Sequence, residues 1–284
     1  MSESQQSQLV GGISVRFERR GTGPALVLVH GLLGYSFSWR QVLDRFSQQR
    51  EVFALDMPGA GFSDCSSAVD ARLSAAADRL LQFLDVQGIK SCDLVGSSYG
   101  GTTALLLAAG NPERVRTLTL VSPANPWSRI GQKRLVALTL PGVSPLFPPL
   151  ARLMTPLHRV LIRRMYGNRS RATAETLRGY SLPLLRKGTF EHAVKVARSW
   201  HSDMRELEQQ LPKAANIPTL IVWGRKDRVV DPASAMMLSR YFNQSRIAFI
   251  EGAGHLPYEE CPEEFASIVD SFLADPSPAR VLNG

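Results

Sequence analysis

Short apolar runs alternate along this chain with longer segments in which apolar residues recur every three or four positions. Strands buried on both faces of a parallel sheet give continuous apolar runs of this kind. Such runs predict strands at residues 25–29, 91–95, 115–121, 219–223 and 246–250. Residues 13–18 and 51–55 are also predicted as strands, either with a period of two or as short buried runs. Helices are predicted between them at residues 74–84, 99–109, 233–241 and 262–273. The predicted fold class is α/β, with a mainly parallel central sheet flanked by helices.

The pattern changes between residues 125 and 200, where short helical pieces are interrupted by prolines. These prolines include Pro141, Pro145, Pro148, Pro149, Pro156 and Pro183. The segment carries fourteen Lys and Arg against two Glu, whereas the whole chain has a net charge of +8. We therefore predict a core formed by residues 1–124 and 206–284, and an inserted basic helical cap, or lid, formed by residues 125–205.

Composition excludes several classes of protein. The chain has 284 residues, of which 44% are hydrophobic and 20% charged, so wholesale disorder is excluded. Its three cysteines, Cys65, Cys92 and Cys261, lack C-x-x-C spacing and predict reduced thiols instead of a disulfide framework or a metal site. Residues 1–8 show no apolar signal segment, and no apolar run approaches the ~20 residues of a membrane-spanning helix. We therefore expect a cytoplasmic protein.

The most specific motif lies between the predicted strand at 91–95 and the helix that follows it. Gly96, Ser98 and Gly100 form a G-x-S-x-G pattern in the strand–turn–helix setting that this pattern requires. The turn is so tight that flanking side chains would collide, and it holds the serine oxygen at a helix N-terminus, where negative charge is favoured. Ser97 does not fit, because Val95 and Tyr99 would replace both glycines. Ser98 is the candidate nucleophile.

A glycine-containing loop, His30 to Gly34, follows the strand at 25–29. Such a loop can direct a backbone N–H toward the oxyanion that forms when a serine attacks an acyl carbon, and losing one such donor costs about 3 kcal/mol. We predict Leu32 as this donor, with Leu33 as an alternative, and the N–H of Tyr99 as the second donor. A simple tight turn is the competing interpretation of the loop.

An acid and a histidine follow two later strands. Asp227 follows the strand at 219–223, and His255 lies in a glycine-lined loop after the strand at 246–250. The order Ser98, Asp227, His255 is the order expected for a Ser–acid–His triad in this architecture. Asp231 precedes Pro232 and is the better candidate for a helix cap. Asp56 is interpreted as a structural residue of the loop after its strand.

Five ordered motifs carry a family resemblance: HGLLG, DMPGAGFS, GSSYGG, GRKDRVV and GHLPYEECPEEF. The chain resembles the α/β-hydrolase fold superfamily, in the serine-nucleophile branch related to small esterases, haloperoxidases and epoxide hydrolases, from residue 9 to 273 apart from the insertion. The resemblance implies a nucleophile elbow at Ser98 and a helical cap. Relatives that open epoxides or displace halide carry aspartate at this position, so these reactions are disfavoured. Relatives that hydrolyse carbon–carbon bonds often have an aromatic residue after the histidine, where this chain has Leu256.

These features predict a serine hydrolase that cleaves small-to-medium hydrophobic carboxylic esters through an acyl-enzyme, without metal or cofactor. The candidate substrate-binding residues between core and cap are Leu33, Phe37, Trp127, Leu140, Phe147 and Leu256. Three alternatives keep the same triad: a C–C bond hydrolase of the meta-cleavage type, a lactonase and an amidase. A ligand receptor with the hydrolase fold is an alternative of a different class.

Three interpretations of the basic cap compete. Its arginines cover a solvated outer face, attract an anionic lipid surface in a weak association, or select an anionic substrate. Binding to nucleic acid is not expected, because no recognisable binding module accompanies the charge.

Overall fold

A computed structural model of the chain describes residues 4–128, 137 and 139–276. Its centre is an eight-stranded sheet with the order β1-β2-β4-β3-β5-β6-β7-β8. The strands are β1 (Gln5–Val10), β2 (Ile13–Arg20), β3 (Ala25–Val29), β4 (Glu51–Asp56), β5 (Cys92–Ser97), β6 (Val115–Val121), β7 (Thr219–Gly224) and β8 (Ser245–Ile250). Along this order, each neighbouring pair in the series β4-β3-β5-β6-β7-β8 is parallel, and β2 pairs antiparallel with both β1 and β4. The predicted mainly parallel sheet is confirmed.

The first strand, β1, was missing from the sequence prediction. Four of its six residues are exposed, and Val10 alone is buried, so it lacks the apolar signal of the inner strands. It pairs with β2 through a tight turn at Gly11 and Gly12, whose φ angles are 55° and 79°. Glycine favours this left-handed backbone, which two-residue hairpin turns require.

Ten α-helices lie in the part of the chain that the structure describes. Those outside the insertion are α1 (Leu43–Phe46), α2 (Leu73–Val86), α3 (Tyr99–Gly110), α8 (Ser234–Ser239), α9 (Pro257–Glu260) and α10 (Pro262–Ala274). One face of the sheet packs against α2, α3 and α8, through side chains such as Phe83, Leu105 and Leu238. The other face packs against α1 and α10, through Phe46 and Phe272. The sheet is therefore buried on both sides, which explains its continuous apolar strands.

Helices also fill the insertion between β6 and β7: α4 (Phe147–Leu153), α5 (Thr155–Met165), α6 (Ala174–Leu184) and α7 (Thr189–Gln210). They have a small apolar cluster of their own, formed by Ala151, Leu184 and Phe190. Helix α7 continues across the predicted core–cap boundary at residue 205. The division into a core and a cap, with its boundary at residue 205, stays a prediction.

A buried carboxylate, Glu259, joins the insertion to the core. It accepts hydrogen bonds from both terminal nitrogens of Arg40 on the core side, one of them at 2.7 Å. From the insertion, the hydroxyls of Tyr180 and Tyr166 donate to it at 2.7 and 3.2 Å. Burial, followed by the nearby Glu259 carboxylate, raises the pKa of both tyrosines, so they remain protonated donors. We call this cluster of Glu259, Arg40, Tyr166 and Tyr180 the Glu259 joint. It is an ion pair in which the tyrosine hydroxyls fill the remaining acceptor sites of the carboxylate.

Glu259→Ala is expected to lower the free energy of unfolding by about 3–5 kcal/mol, because it leaves the largely buried Arg40 guanidinium without its partner. Chemical denaturation followed by tryptophan fluorescence measures the effect. Glu264→Ala, at an exposed carboxylate in the first turn of α10, is the matched control and should change stability by less than about 1 kcal/mol. Equal losses in the two variants would contradict the assigned role.

Candidate active site

Ser98 occupies the turn between β5 and α3, in a backbone conformation with φ 51° and ψ −121°. Its backbone is held on both sides, since its N–H donates to Val121 O at 2.9 Å and its carbonyl accepts from Ala124 N at 3.1 Å. A Cβ at Gly96 would lie 2.5 Å from Gly100 O, and a Cβ at Gly100 would overlap the carbonyl oxygens of Val29 and His30. Both flanking positions therefore require glycine, and the surrounding structure maintains the strained serine.

Asp227 and His255 form a buried pair. The carboxylate Oδ2 lies 2.8 Å from His255 Nδ1 and also accepts from the indole of Trp223 at 3.1 Å. Its Oδ1 accepts from the backbone N–H groups of Val229 and Val230 at 2.7 and 3.1 Å. Because an ionised carboxylate only accepts hydrogen bonds, Nδ1 carries the proton. A neutral imidazole then has Nε2 unprotonated and available to accept a proton.

The loop that carries His255 is held by the insertion. The backbone N–H of His255 donates to Met165 O at 2.7 Å, at the end of α5. Glu260 accepts from the N–H groups of Gly254 at 2.6 Å and of Gly167 and Asn168 at 3.0 Å. One buried carboxylate thus ties the histidine loop to the segment after α5. The position of His255 depends on contacts with residues about 90 positions away in the chain.

The loop after β3 lies directly against Ser98. A Cβ at Gly31 would lie 3.0 Å from Ser98 Cβ. The His30 ring braces this loop, because Nδ1 donates to Gly31 O at 2.7 Å and Nε2 accepts from Met57 N at 2.8 Å. Burial lowers the pKa of His30, in agreement with a neutral ring that accepts at Nε2. Asp56 accepts from the N–H groups of Ser36 and Phe62 at 2.8 and 2.9 Å, which matches its predicted structural role.

A cavity opens beside the two predicted oxyanion donors, Leu32 and Tyr99. Its other lining residues are His30, Gly31, Leu33, Met57, Pro58, Ala60, Asp70, Ala76, Arg79, Gly100, Thr103 and His192. Two of its polar members, Arg79 and His192, were not among the predicted site residues. They come from α2 and α7, and no strand-end motif marks them.

Of the six predicted substrate-binding residues, Leu33 lines this cavity. Phe147 packs with Leu33 against the cluster of Ala151, Leu184 and Phe190. Phe37 stacks on Tyr35 beside the Glu259 joint, with ring centroids 5.4 Å apart. The other three lie apart: Trp127 stacks on Tyr241, Leu256 is buried in the core beneath the sheet, and Leu140 is half exposed. The structure therefore does not bring the six residues into one lining.

Within the described residues, no hydrogen bond joins Ser98 Oγ to His255. Hydrogen bonds between nucleophile and base are often long in free enzymes and tighten when the substrate binds. In the same part of the chain, no three His, Cys, Asp or Glu side chains are grouped as they would be to hold a metal ion. None of the described helices has the length and apolar character to cross a bilayer.

A family model described as the alpha/beta hydrolase family matches residues 26–268. The chain is 29% identical to the pimeloyl-(acyl-carrier protein) methyl ester esterase of Nitrosomonas europaea, over 91% of this chain and 99% of that protein. It is 26% identical to the 2-hydroxymuconate semialdehyde hydrolase of Pseudomonas sp., over 96% of this chain and 95% of that protein. A solved membrane phospholipase A, a bacterial virulence factor, has a TM-score of 0.81 at 25% identity, over 96% of this chain and 86% of that one.

Gly100→Ala is expected to lower the free energy of unfolding by about 1–3 kcal/mol or more, because the new methyl group overlaps the backbone of the His30 loop. Gly110→Ala, at the other end of α3, is the control, since a Cβ there meets no atom within 4 Å. Alanine at Gly110 should be neutral or stabilising, by up to about 1 kcal/mol. Thermal and urea denaturation of both variants measure the difference, and a neutral Gly100→Ala would contradict the steric argument.

His192 predicts a dependence of stability on pH. Burial, followed by the charges of Lys195 and Arg79, lowers the pKa of His192 from 6.5 to about 4. Below pH 6.5 the unfolded chain binds a proton that the folded chain takes up only near pH 4, so acidification favours unfolding. Between pH 6.5 and 5 this effect amounts to about 1–2 kcal/mol.

Urea denaturation of His192→Gln over this pH range tests the effect. The variant should lose less stability on acidification than the wild type, whereas His201→Gln, at an exposed histidine on the same helix, should follow the wild-type profile. Identical pH profiles for wild type and His192→Gln would refute the prediction.

Proposed function

Because the chain belongs to the alpha/beta hydrolase family, we propose that it is a serine hydrolase that cleaves carboxylic esters with a Ser98–His255–Asp227 triad. The observation that carries this proposal is the buried pair of Asp227 and His255, with 2.8 Å between Oδ2 and Nδ1. A histidine oriented in this way supplies the base that a serine nucleophile needs. Ser98 supplies that nucleophile, at the strained turn into α3.

In the proposed reaction, Ser98 Oγ attacks the ester carbonyl while His255 Nε2 takes its proton. The N–H groups of Leu32 and Tyr99 stabilise the oxyanion of the tetrahedral intermediate. When the intermediate collapses, the C–O bond to the alcohol breaks and His255 returns the proton to the departing alcohol. Water, deprotonated by His255, then attacks the acyl-enzyme. The bond between the acyl carbon and Ser98 Oγ breaks, His255 returns the proton to Ser98 Oγ, and the acid is released. Asp227 holds the imidazole in the required tautomer and stabilises its charged form.

The proposed substrate is a hydrophobic ester of small to medium size. Apolar residues such as Leu33, Met57, Pro58 and Ala60 line most of the cavity beside Leu32 and Tyr99. The sequence similarity to a methyl ester esterase supports ester cleavage. Leu33 and Phe147 are the predicted pocket residues with the strongest support, since they share one cluster near this cavity.

A second candidate is hydrolysis of a C–C bond, favoured by the similarity to a 2-hydroxymuconate semialdehyde hydrolase. The same triad would serve it. Leu256, which follows His255, is buried at 4% exposure within the apolar core. Relatives that hydrolyse C–C bonds often have an aromatic residue at this position, so ester cleavage is the leading proposal.

Ser98→Ala is expected to lower kcat/KM for p-nitrophenyl esters by about a thousandfold or more, because it removes the nucleophile. Initial rates measured over a series of acyl chains, from acetate to long chains, test this and report the size of the acyl pocket. The proposed pocket predicts the highest kcat/KM for short to medium chains.

Ser97→Ala is the matched control for Ser98→Ala. Ser97 Oγ lies 3.2 Å from the hydroxyl of Tyr258 in the buried core, so its loss should leave kcat/KM within about tenfold of the wild type. If wild type and Ser98→Ala turn over every ester equally slowly, ester cleavage is wrong. Turnover of a meta-cleavage product by the same wild-type preparation would then establish the C–C hydrolase.

A further inference from the structure

The outer side of the insertion exposes an unusual amount of apolar surface. Of the sixteen exposed large apolar side chains in the described part of the chain, nine lie between residues 140 and 161. We call these nine residues the cap face: Leu140, Val143, Leu146, Leu150, Leu153, Met154, Leu157, Val160 and Leu161. Leu153, at 82% exposure, is the most exposed. Such a concentration of exposed apolar side chains in one segment indicates an interaction surface, unlike single exposed apolar residues.

The cap face is distinct from the side by which these helices pack against the rest of the protein, because that side is already buried. In α4, Ala151 is buried against Leu184 and Phe190. In α5, His158 and Ile162 are buried, and the His158 ring lies 5.4 Å from the Phe190 ring. These helices are therefore apolar on the inner face and again on the outer face. A surface helix of a water-soluble domain would carry mainly polar residues on the outer face, whereas here exposed apolar side chains share that face with arginines.

Arginines lie among these apolar residues. Arg159, Arg163 and Arg164 on α5 are exposed, and among the described residues none of them forms an ion pair. In contrast, Arg152 on the inner side is paired with Glu191 at 2.7 Å. The sequence contains no Asp or Glu between Glu113 and Glu175, so no neighbouring carboxylate in this segment offsets their charge.

We propose that the cap face binds to the surface of anionic lipid bilayers. The apolar side chains of α4 and α5 would enter the boundary between head groups and acyl chains, and the arginines would contact lipid phosphates, as in interfacial amphipathic helices. Two copies of the face pressed together would bring these unpaired arginines close to one another, which disfavours a homodimer. Nucleic acid would match the arginines but leave the leucines exposed to water.

Vesicle flotation tests the proposal with the full chain. The protein should float with vesicles of phosphatidylglycerol and phosphatidylcholine at low salt. It should bind pure phosphatidylcholine vesicles at least tenfold more weakly, since each of the three arginines contributes about fivefold near an anionic surface. High salt should weaken the binding to anionic vesicles, because exposed charges are screened. Ser98→Ala should bind like the wild type, so this result does not depend on the proposed hydrolase activity.

Two double variants identify the surface. Arg163→Gln/Arg164→Gln should weaken binding to anionic vesicles by roughly thirtyfold, through loss of the phosphate contacts. Leu150→Ser/Leu153→Ser should weaken it by at least about tenfold, through loss of apolar insertion. Lys213→Gln/Arg240→Gln removes two exposed cations outside the insertion and should bind like the wild type. An unchanged circular dichroism spectrum and melting temperature show that each variant is folded.

Other possible ligands of the cap face predict different results in these binding experiments. Absence of flotation with anionic vesicles at low salt overturns the proposal. So does light scattering that shows a lipid-free dimer which Leu150→Ser/Leu153→Ser dissociates, because a second copy then covers the face. Equal weakening by the Lys213→Gln/Arg240→Gln control would show attraction by net charge alone and would also overturn it.

Discussion

The turn from β5 into α3 leaves no room for a side chain on either side of Ser98, and the candidate site is arranged around this constraint. A Cβ at Gly100 would overlap the carbonyl oxygens of Val29 and His30 at the end of β3. This close approach brings the His30 loop within van der Waals distance of Ser98. On the other side, hydrogen bonds to Val121 and Ala124 connect the serine backbone to the end of β6. Three parallel strands thus converge on one residue, whose strained backbone they maintain.

Buried carboxylates form a second layer of organisation at the same edge of the sheet. Asp56, Asp227, Glu259 and Glu260 are all buried, and each is surrounded by a different set of donors. Backbone N–H groups and an indole hold Asp227 toward His255, whereas Arg40 and two tyrosines surround Glu259. A buried acid without such donors would be strongly destabilising. The donors therefore determine which carboxylate orients the imidazole and which ones only connect segments.

The sheet layer and the insertion use their apolar surface in opposite ways. The strands and helices of the sheet layer bury theirs between the sheet faces. The insertion buries one side of α4 and α5 and leaves the other side exposed, in a segment with a large excess of positive charge. The same insertion also holds the His255 loop through Met165 and Glu260. Whatever contacts the outer side of the insertion is therefore connected, through a short backbone path, to the candidate base.

The sequence by itself determined the features that depend on local pattern. Apolar runs located the inner strands, two of them with the observed bounds, because a strand buried on both faces needs an unbroken apolar run. Strand ends located Ser98, Asp227, His255 and the His30 loop, since the carboxyl ends of parallel strands meet at one edge. Their catalytic roles and the core–cap boundary remain proposals.

Only the tertiary structure decided what depends on distant segments. Strand β1 has too little buried surface to leave an apolar pattern, and its hairpin partner defines it. The Glu259 joint, the cavity position of His192 and the scattered places of Trp127, Leu140 and Leu256 follow from packing between segments far apart in the chain. The cap face also depends on the tertiary structure, because the sequence does not show whether a leucine is buried or exposed. Its environment is set by neighbours that no local periodicity encodes.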